Sequence, residues 1–167
     1  YWKYYYPKLQ AYFPAQLEQV TAEDFFKAAN RVEPSLIRTE ADELTYHFHV
    51  LIRYEIEKAL IAGTLDTKAL PATWNELYNK YLGVTPKDDK TGVLQDVHWS
   101  HGSFGYFPTY TLGSFYAAQF YARADKEIPG MAQKLYTGEL APILLWLREK
   151  VHKHGRKYTS EQLCEKI

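Results

Sequence analysis

Glu40-Ala41-Asp42-Glu43-Leu44-Thr45-Tyr46-His47-Phe48-His49-Val50-Leu51-Ile52-Arg53-Tyr54-Glu55-Ile56-Glu57-Lys58-Ala59-Leu60-Ile61-Ala62 is a run of 23 residues without Gly or Pro, closed by Gly63. Leu44, Phe48, Leu51, Ile52, Ile56, Ala59 and Leu60 recur at three- and four-residue intervals, which is the signature of one apolar helix face. Gly63 suits the left-handed residue that ends such a helix. The same logic extends outward. Residues 1–13 read as a helix stopped by Pro14. Thr21 caps a helix that carries Glu23 and Asp24 in its first turn and runs to about Asn30. A helix over Pro71–Tyr81 places Trp74, Leu77 and Tyr78 on one face and ends at Gly83. Pro108 starts another, Thr109 to Ala124, followed by Met131–Tyr136, Glu139–Lys153 and Ser160–Ile167. Two segments break the pattern. Ser35–Thr39 follows Pro34 and reads as extended. Residues 92–106 alternate weakly through Val93, Gln95, Val97 and Trp99 among three glycines, which reads as a short strand and a Gly-rich turn. The expected fold is mainly α, one helical segment over residues 1–167 with one or two short β strands.

With 167 residues, 46% of them hydrophobic, the chain can bury a real core. Lys plus Arg and Asp plus Glu number 20 each, so no net charge points to nucleic acid and no basic tract points to a membrane surface. Cys164 is the only cysteine, which excludes an internal disulfide and leaves a reducing, cytoplasmic setting as the expectation. No apolar run is long enough for a membrane span. The opening Tyr1-Trp2 reads as a chain cut from something longer, and the last helix as cut short. The aromatic share, 16% with 15 Tyr, has two readings. It fits helices with aromatic seams, or a groove for extended polar ligands.

The residues offer no self-contained metal site. His47 and His49 point to different helix faces, Glu43–His47 is only a pair, and a zinc site needs at least three protein ligands. His152 and His154 read as solvated and Cys164 as a packing residue; Arg53 and Arg123 read first as exposed helix surface, with a contribution to a groove as the alternative. Two clusters stand out. In Ile37-Arg38-Thr39-Glu40-Ala41-Asp42, an Arg sits at a helix N-terminus, where a cation is disfavoured. It is better placed if it clamps Asp42 or Glu43, or if it receives a ligand carboxylate. Between Gly92 and Tyr110 lie Gln95, Asp96, His98, Trp99, His101, Tyr106 and Tyr110 in irregular chain. This is either a polar hairpin or a functional loop whose His and Tyr groups donate to an oxyanion.

Ile37-Arg38-x-x-Ala41-Asp42 and Gly92-x-x-Gln95-Asp96-x-His98-Trp99 resemble two signature motifs of the carboxypeptidase Taq family, the HExxH zinc metallocarboxypeptidases. Asp42–Tyr46, His101–Gly113, the Tyr-rich opening and Gly155-Arg156-Lys157-Tyr158 are similar as well, so the resemblance covers essentially the whole chain. It implies the C-terminal third of a largely helical, two-lobed peptidase, with zinc held by an HExxH helix and a following Glu that this chain lacks. No zinc is then expected on this piece, and no metal ligand carries over to it. The implied partners are peptides with a free C-terminus, the N-terminal part of the same enzyme, and a second copy in a homodimer. Arg38, Tyr110 and Tyr106 are implied in substrate binding, and His98, His101 and Tyr110 in transition-state stabilisation. Asp42, Gln95, Asp96 and Trp99 are implied in support, Asp96 by orienting a His. A non-catalytic helical interaction or dimerisation module is the alternative, and an unrelated helical protein with an aromatic groove the third.

Overall fold

The computed structural model describes residues 1–167 and contains ten α-helices and no β strand. In chain order these are α1 (Trp2–Tyr12), α2 (Pro14–Leu17), α3 (Ala22–Ala29), α4 (Tyr46–Ile61), α5 (Leu70–Leu82), α6 (Val97–Ser100), α7 (Thr109–Glu127), α8 (Met131–Thr137), α9 (Ala141–Lys150) and α10 (Ser160–Lys166). The expected strands are corrected on both counts. Arg38–Glu40 and Val93–Gln95 are single 3-10 turns, and Val97–Ser100 is a turn of α-helix. A strand needs a neighbouring ladder for its N–H and C=O groups. Here local bonds satisfy them instead, such as Glu40 N–H to the Ile37 carbonyl (3.0 Å) and Gln95 N–H to the Gly92 carbonyl (2.9 Å).

The expected helix start at Glu40 is also moved. Asp42 accepts from the Leu44 and Thr45 amides (both 2.9 Å), from the Thr45 hydroxyl (2.6 Å) and from the Glu33 amide (3.0 Å). These bonds hold residues 42–45 as a turn, and α4 begins only at Tyr46. Asp42 therefore does the clamping of the extended segment to the helix, through backbone amides. Burial pushes its carboxyl up, but the bonds from Thr45, Glu33 and Leu44 outweigh this and hold it far below the usual carboxylate range.

The chain forms two compact units, residues 30–113 and residues 1–29 with 114–167. In the first, α4 packs on α5 around Ile52, Ile56, Trp74, Tyr78 and Leu82. Trp74 and Tyr78 stack with ring centroids 4.9 Å apart, and Trp99 meets Trp74 edge-on at 5.8 Å. Burying side chains of this size stabilises by roughly 1.5–3 kcal/mol each before conformational entropy is counted. In the second unit, Tyr6 is buried and its hydroxyl donates to the Val20 carbonyl at 2.5 Å, while Phe25 packs on Trp2 and Tyr6. Ala124, Ile128, Met131 and Trp146 form a separate cluster. Gly138 closes α8 at φ 77°, and a Cβ there would run into the Tyr4 ring, so both conformation and space demand glycine. Thr21 and Asp24 exchange capping bonds at the start of α3, as the sequence implies.

Candidate functional site

The candidate residues all lie in the unit formed by residues 30–113. Its base is a buried polar stripe along α4. His49, Arg53 and Glu57 recur every four residues and are 0%, 0% and 4% exposed. The placement of Arg53 on exposed surface is therefore corrected: it is among the most buried side chains of the chain. Its Nε donates to Asp96 Oδ2 at 2.7 Å, and both side chains are fully buried. Its Nη1 donates to the His49 carbonyl (3.0 Å) and the Tyr78 hydroxyl (3.2 Å). The guanidinium is also sandwiched between the rings of Trp74 and Phe107, 4.5 and 4.6 Å from their centroids.

The Tyr78 hydroxyl, which accepts from Arg53, also lies 2.9 Å from His49 Nδ1. His49 is neutral at pH 7. Burial first, and then the Arg53 and Arg38 charges, push its pKa down to about 4. The sign of the consequence follows. The unfolded chain protonates this His near the usual pKa of about 6.5 and the fold resists it, so stability is full above that pH and is lost as pH falls towards 4. This group contributes a slope approaching about 1.4 kcal/mol per pH unit. Urea midpoints measured across that window should flatten in His49→Phe. An unchanged slope would place its origin elsewhere.

Asp96 joins this base to the loop above it. Its second oxygen caps α6 by accepting the Trp99 amide at 3.0 Å. It does not hydrogen-bond a histidine: His98 Nδ1 stands 4.0 Å away and has no protein partner. His98 is buried among rings. Tyr106 stacks on it at 5.7 Å, and Phe107, His101 and Tyr110 lie with centroids 5.1, 5.8 and 6.1 Å away. Burial lowers the His98 pKa, with Asp96 partly opposing, so the ring is neutral at pH 7. His101 is exposed, its Nδ1 2.9 Å from the Ser103 hydroxyl. Burial, reinforced by the neighbouring and hydrogen-bonded Tyr106 hydroxyl, raises the pKa of Tyr110, which keeps it an O–H donor. Gln95 turns away from the rings and donates to the Lys90 carbonyl at 2.6 Å, bracing the preceding turn. Trp99 donates its indole N–H to Glu57 at 2.8 Å.

Arg38 is half-buried, lies 5.1 Å over the Phe107 ring, and forms no ion pair with Asp42, Glu43 or any other carboxylate. The clamp through Arg38 is thus not made. The structure brings Arg38, His98, His101, Tyr106 and Tyr110 around Phe107 and His98, and leaves Asp42, Gln95 and Trp99 as supports. Sequence reasoning missed Glu57 altogether and weighed Arg53 only as helix surface or groove, not as a buried support. The only available signal was the four-residue recurrence of His49, Arg53 and Glu57.

The model of the carboxypeptidase Taq (M32) metallopeptidase family matches residues 1–167. The chain belongs to this family. Thermostable carboxypeptidase 1 of Thermus thermophilus is 48% identical over 167 residues, covering 100% of this chain and 32% of that protein. A solved structure of a protein called CHT superposes with a TM-score of 0.96 at 59% identity, covering 99% of this chain and 34% of that one. The M32 carboxypeptidase of Deinococcus radiodurans superposes with a TM-score of 0.94 at 42% identity, covering 99% and 33%. The chain therefore spans about a third of the length of the carboxypeptidase Taq relatives it matches. The family name implies a metal, and the residues present do not fit one. No group of three or more His, Cys, Asp or Glu side chains is placed to hold an ion. No helix is long and apolar enough to cross a membrane.

Proposed function

We propose that this chain forms the substrate-carboxylate and oxyanion side of a zinc metallocarboxypeptidase that releases C-terminal residues from peptides, and that it is inactive by itself. The observation that carries the reading is Arg38: a half-buried guanidinium without a carboxylate partner, held over Phe107 beside neutral donors. A bidentate fork presented in this way matches the free carboxylate that distinguishes a peptide's last residue. Tyr110 and His98, both protonated and neutral at pH 7, supply O–H and N–H donors for charge that develops on the scissile carbonyl oxygen. His101 is the more exposed of the two histidines and the freer to meet substrate. In this reading the metal and the base that would activate the attacking water belong to the remainder of the full-length enzyme.

The test is a comparison of products. The full-length enzyme should shorten free-acid peptides stepwise from the C-terminus, spare the C-terminally amidated forms, and lose activity on chelation. This chain alone should show no peptidase activity and no tightly bound zinc. Equal cleavage of amidated peptides, or a stoichiometric zinc bound by this chain's own residues, overturns the reading.

A further inference from the structure

Glu57 carries a role that none of the recognised motifs contains. Its carboxylate is buried and makes no ion pair, a costly arrangement for a charge. Its two oxygens are used separately. Oε1 accepts the Trp99 indole N–H at 2.8 Å, and Oε2 accepts the Gly105 amide at 2.9 Å. These donors sit at the two ends of the loop that carries His101. Trp99 is the immediate neighbour of His98, and Gly105 the immediate neighbour of Tyr106. The two rings so flanked stack on each other, with centroids 5.7 Å apart and planes 21° from parallel. One side chain of α4 thus fixes both members of the stack through the residues beside them. Gly105 turns its amide to the carboxylate at φ 76°, a conformation that other residues adopt only with strain. An apolar residue at position 57 would fill the space and avoid a buried charge, but would tie neither end.

We propose that Glu57 is a positioning residue, a strap from α4 that holds the His98–Tyr106 stack and the intervening His101 loop in register for catalysis. The proposal rests on the reading of His98 and His101 as groups of the active site. Errors of about 1 Å in such groups cost on the order of 100-fold in rate, and loss of supporting contacts typically costs about 10- to 100-fold.

The experiment uses the full-length zinc enzyme. In Glu57→Gln, the amide keeps one acceptor but turns an N–H₂ towards the second donor, so only one end of the loop stays tied. The expected result is a fall in kcat of about 10- to 100-fold, with KM for a free-acid peptide little changed because Arg38 lies outside the strap. Amide exchange at Gly105 should quicken. Trp99→Phe removes the donor that conflicts with Gln. In that background Glu57→Gln should cost far less in kcat, a non-additivity that general loss of stability does not produce. The proposal is overturned if Glu57→Gln lowers Tm but leaves kcat intact, or if its effect is the same in both backgrounds. His98→Ala and His101→Ala in the same enzyme separate the two levels. If both keep wild-type kcat, the loop's part in catalysis is overturned and the strap's role with it. If either loses activity while Glu57→Gln does not, the strap alone is overturned.

Discussion

Arg38→Ala in the full-length enzyme is expected to lower kcat/KM for free-acid peptides by about 30- to 1000-fold. The range corresponds to roughly 2–4 kcal/mol for a bidentate guanidinium–carboxylate contact kept from water. The structure strengthens the expectation, because the competing role for Arg38, a clamp on Asp42, is performed by the Glu33, Leu44 and Thr45 amides instead. Arg38→Lys should recover only part of the loss, since an ammonium cannot reproduce the fork or lie flat on Phe107. The control is the same peptide with an amidated C-terminus. It should be a poor substrate for the wild type and hardly poorer for Arg38→Ala. Equal losses on acid and amide would mean that Arg38 supports the loop through Phe107 and does not meet the substrate.

Asp96→Ala should destabilise the folded protein by about 3–5 kcal/mol, as breaking one side of a buried ion pair does. The cost has two sources. Arg53 remains fully buried, with its charge opposed by no carboxylate, and α6 loses the acceptor for the Trp99 amide. Asp96→Asn keeps an oxygen for that amide and should cost less. The double variant Asp96→Leu/Arg53→Met removes both charges and should be less damaging than Asp96→Ala alone. Urea unfolding of the three variants provides the measurement. A loss below about 1 kcal/mol in Asp96→Ala, the range of an exposed ion pair, would contradict the buried geometry.

Sequence alone determined that the chain is helical and where most helices run. The reason is local: apolar spacing, Pro at entries, Gly at exits and the Thr21 cap act within a few residues, and these signals hold for α1, α3, α5, α8 and α10. It also brought forward Arg38 and His98, through two short motifs, and His101 and Tyr110, through the Gly-rich stretch that follows the second. Three things were decided by tertiary structure. Within residues 92–106, Val93–Gln95 and Val97–Ser100 are helical turns and not a strand, because no strand stands beside them to complete a ladder. The start of α4 moved to Tyr46 because the Glu33 amide reaches Asp42 from nine positions earlier and helps fix the turn before the helix. The face that α4 buries includes His49, Arg53 and Glu57, while Leu44 is 60% exposed. A polar residue every fourth position reads as a solvated stripe. Only partners distant in sequence reverse that reading: Tyr78 for His49, Asp96 for Arg53, and Trp99 with Gly105 for Glu57. Burial of a polar group is favourable only when such a partner arrives, and its arrival is a property of the folded chain, not of the local pattern.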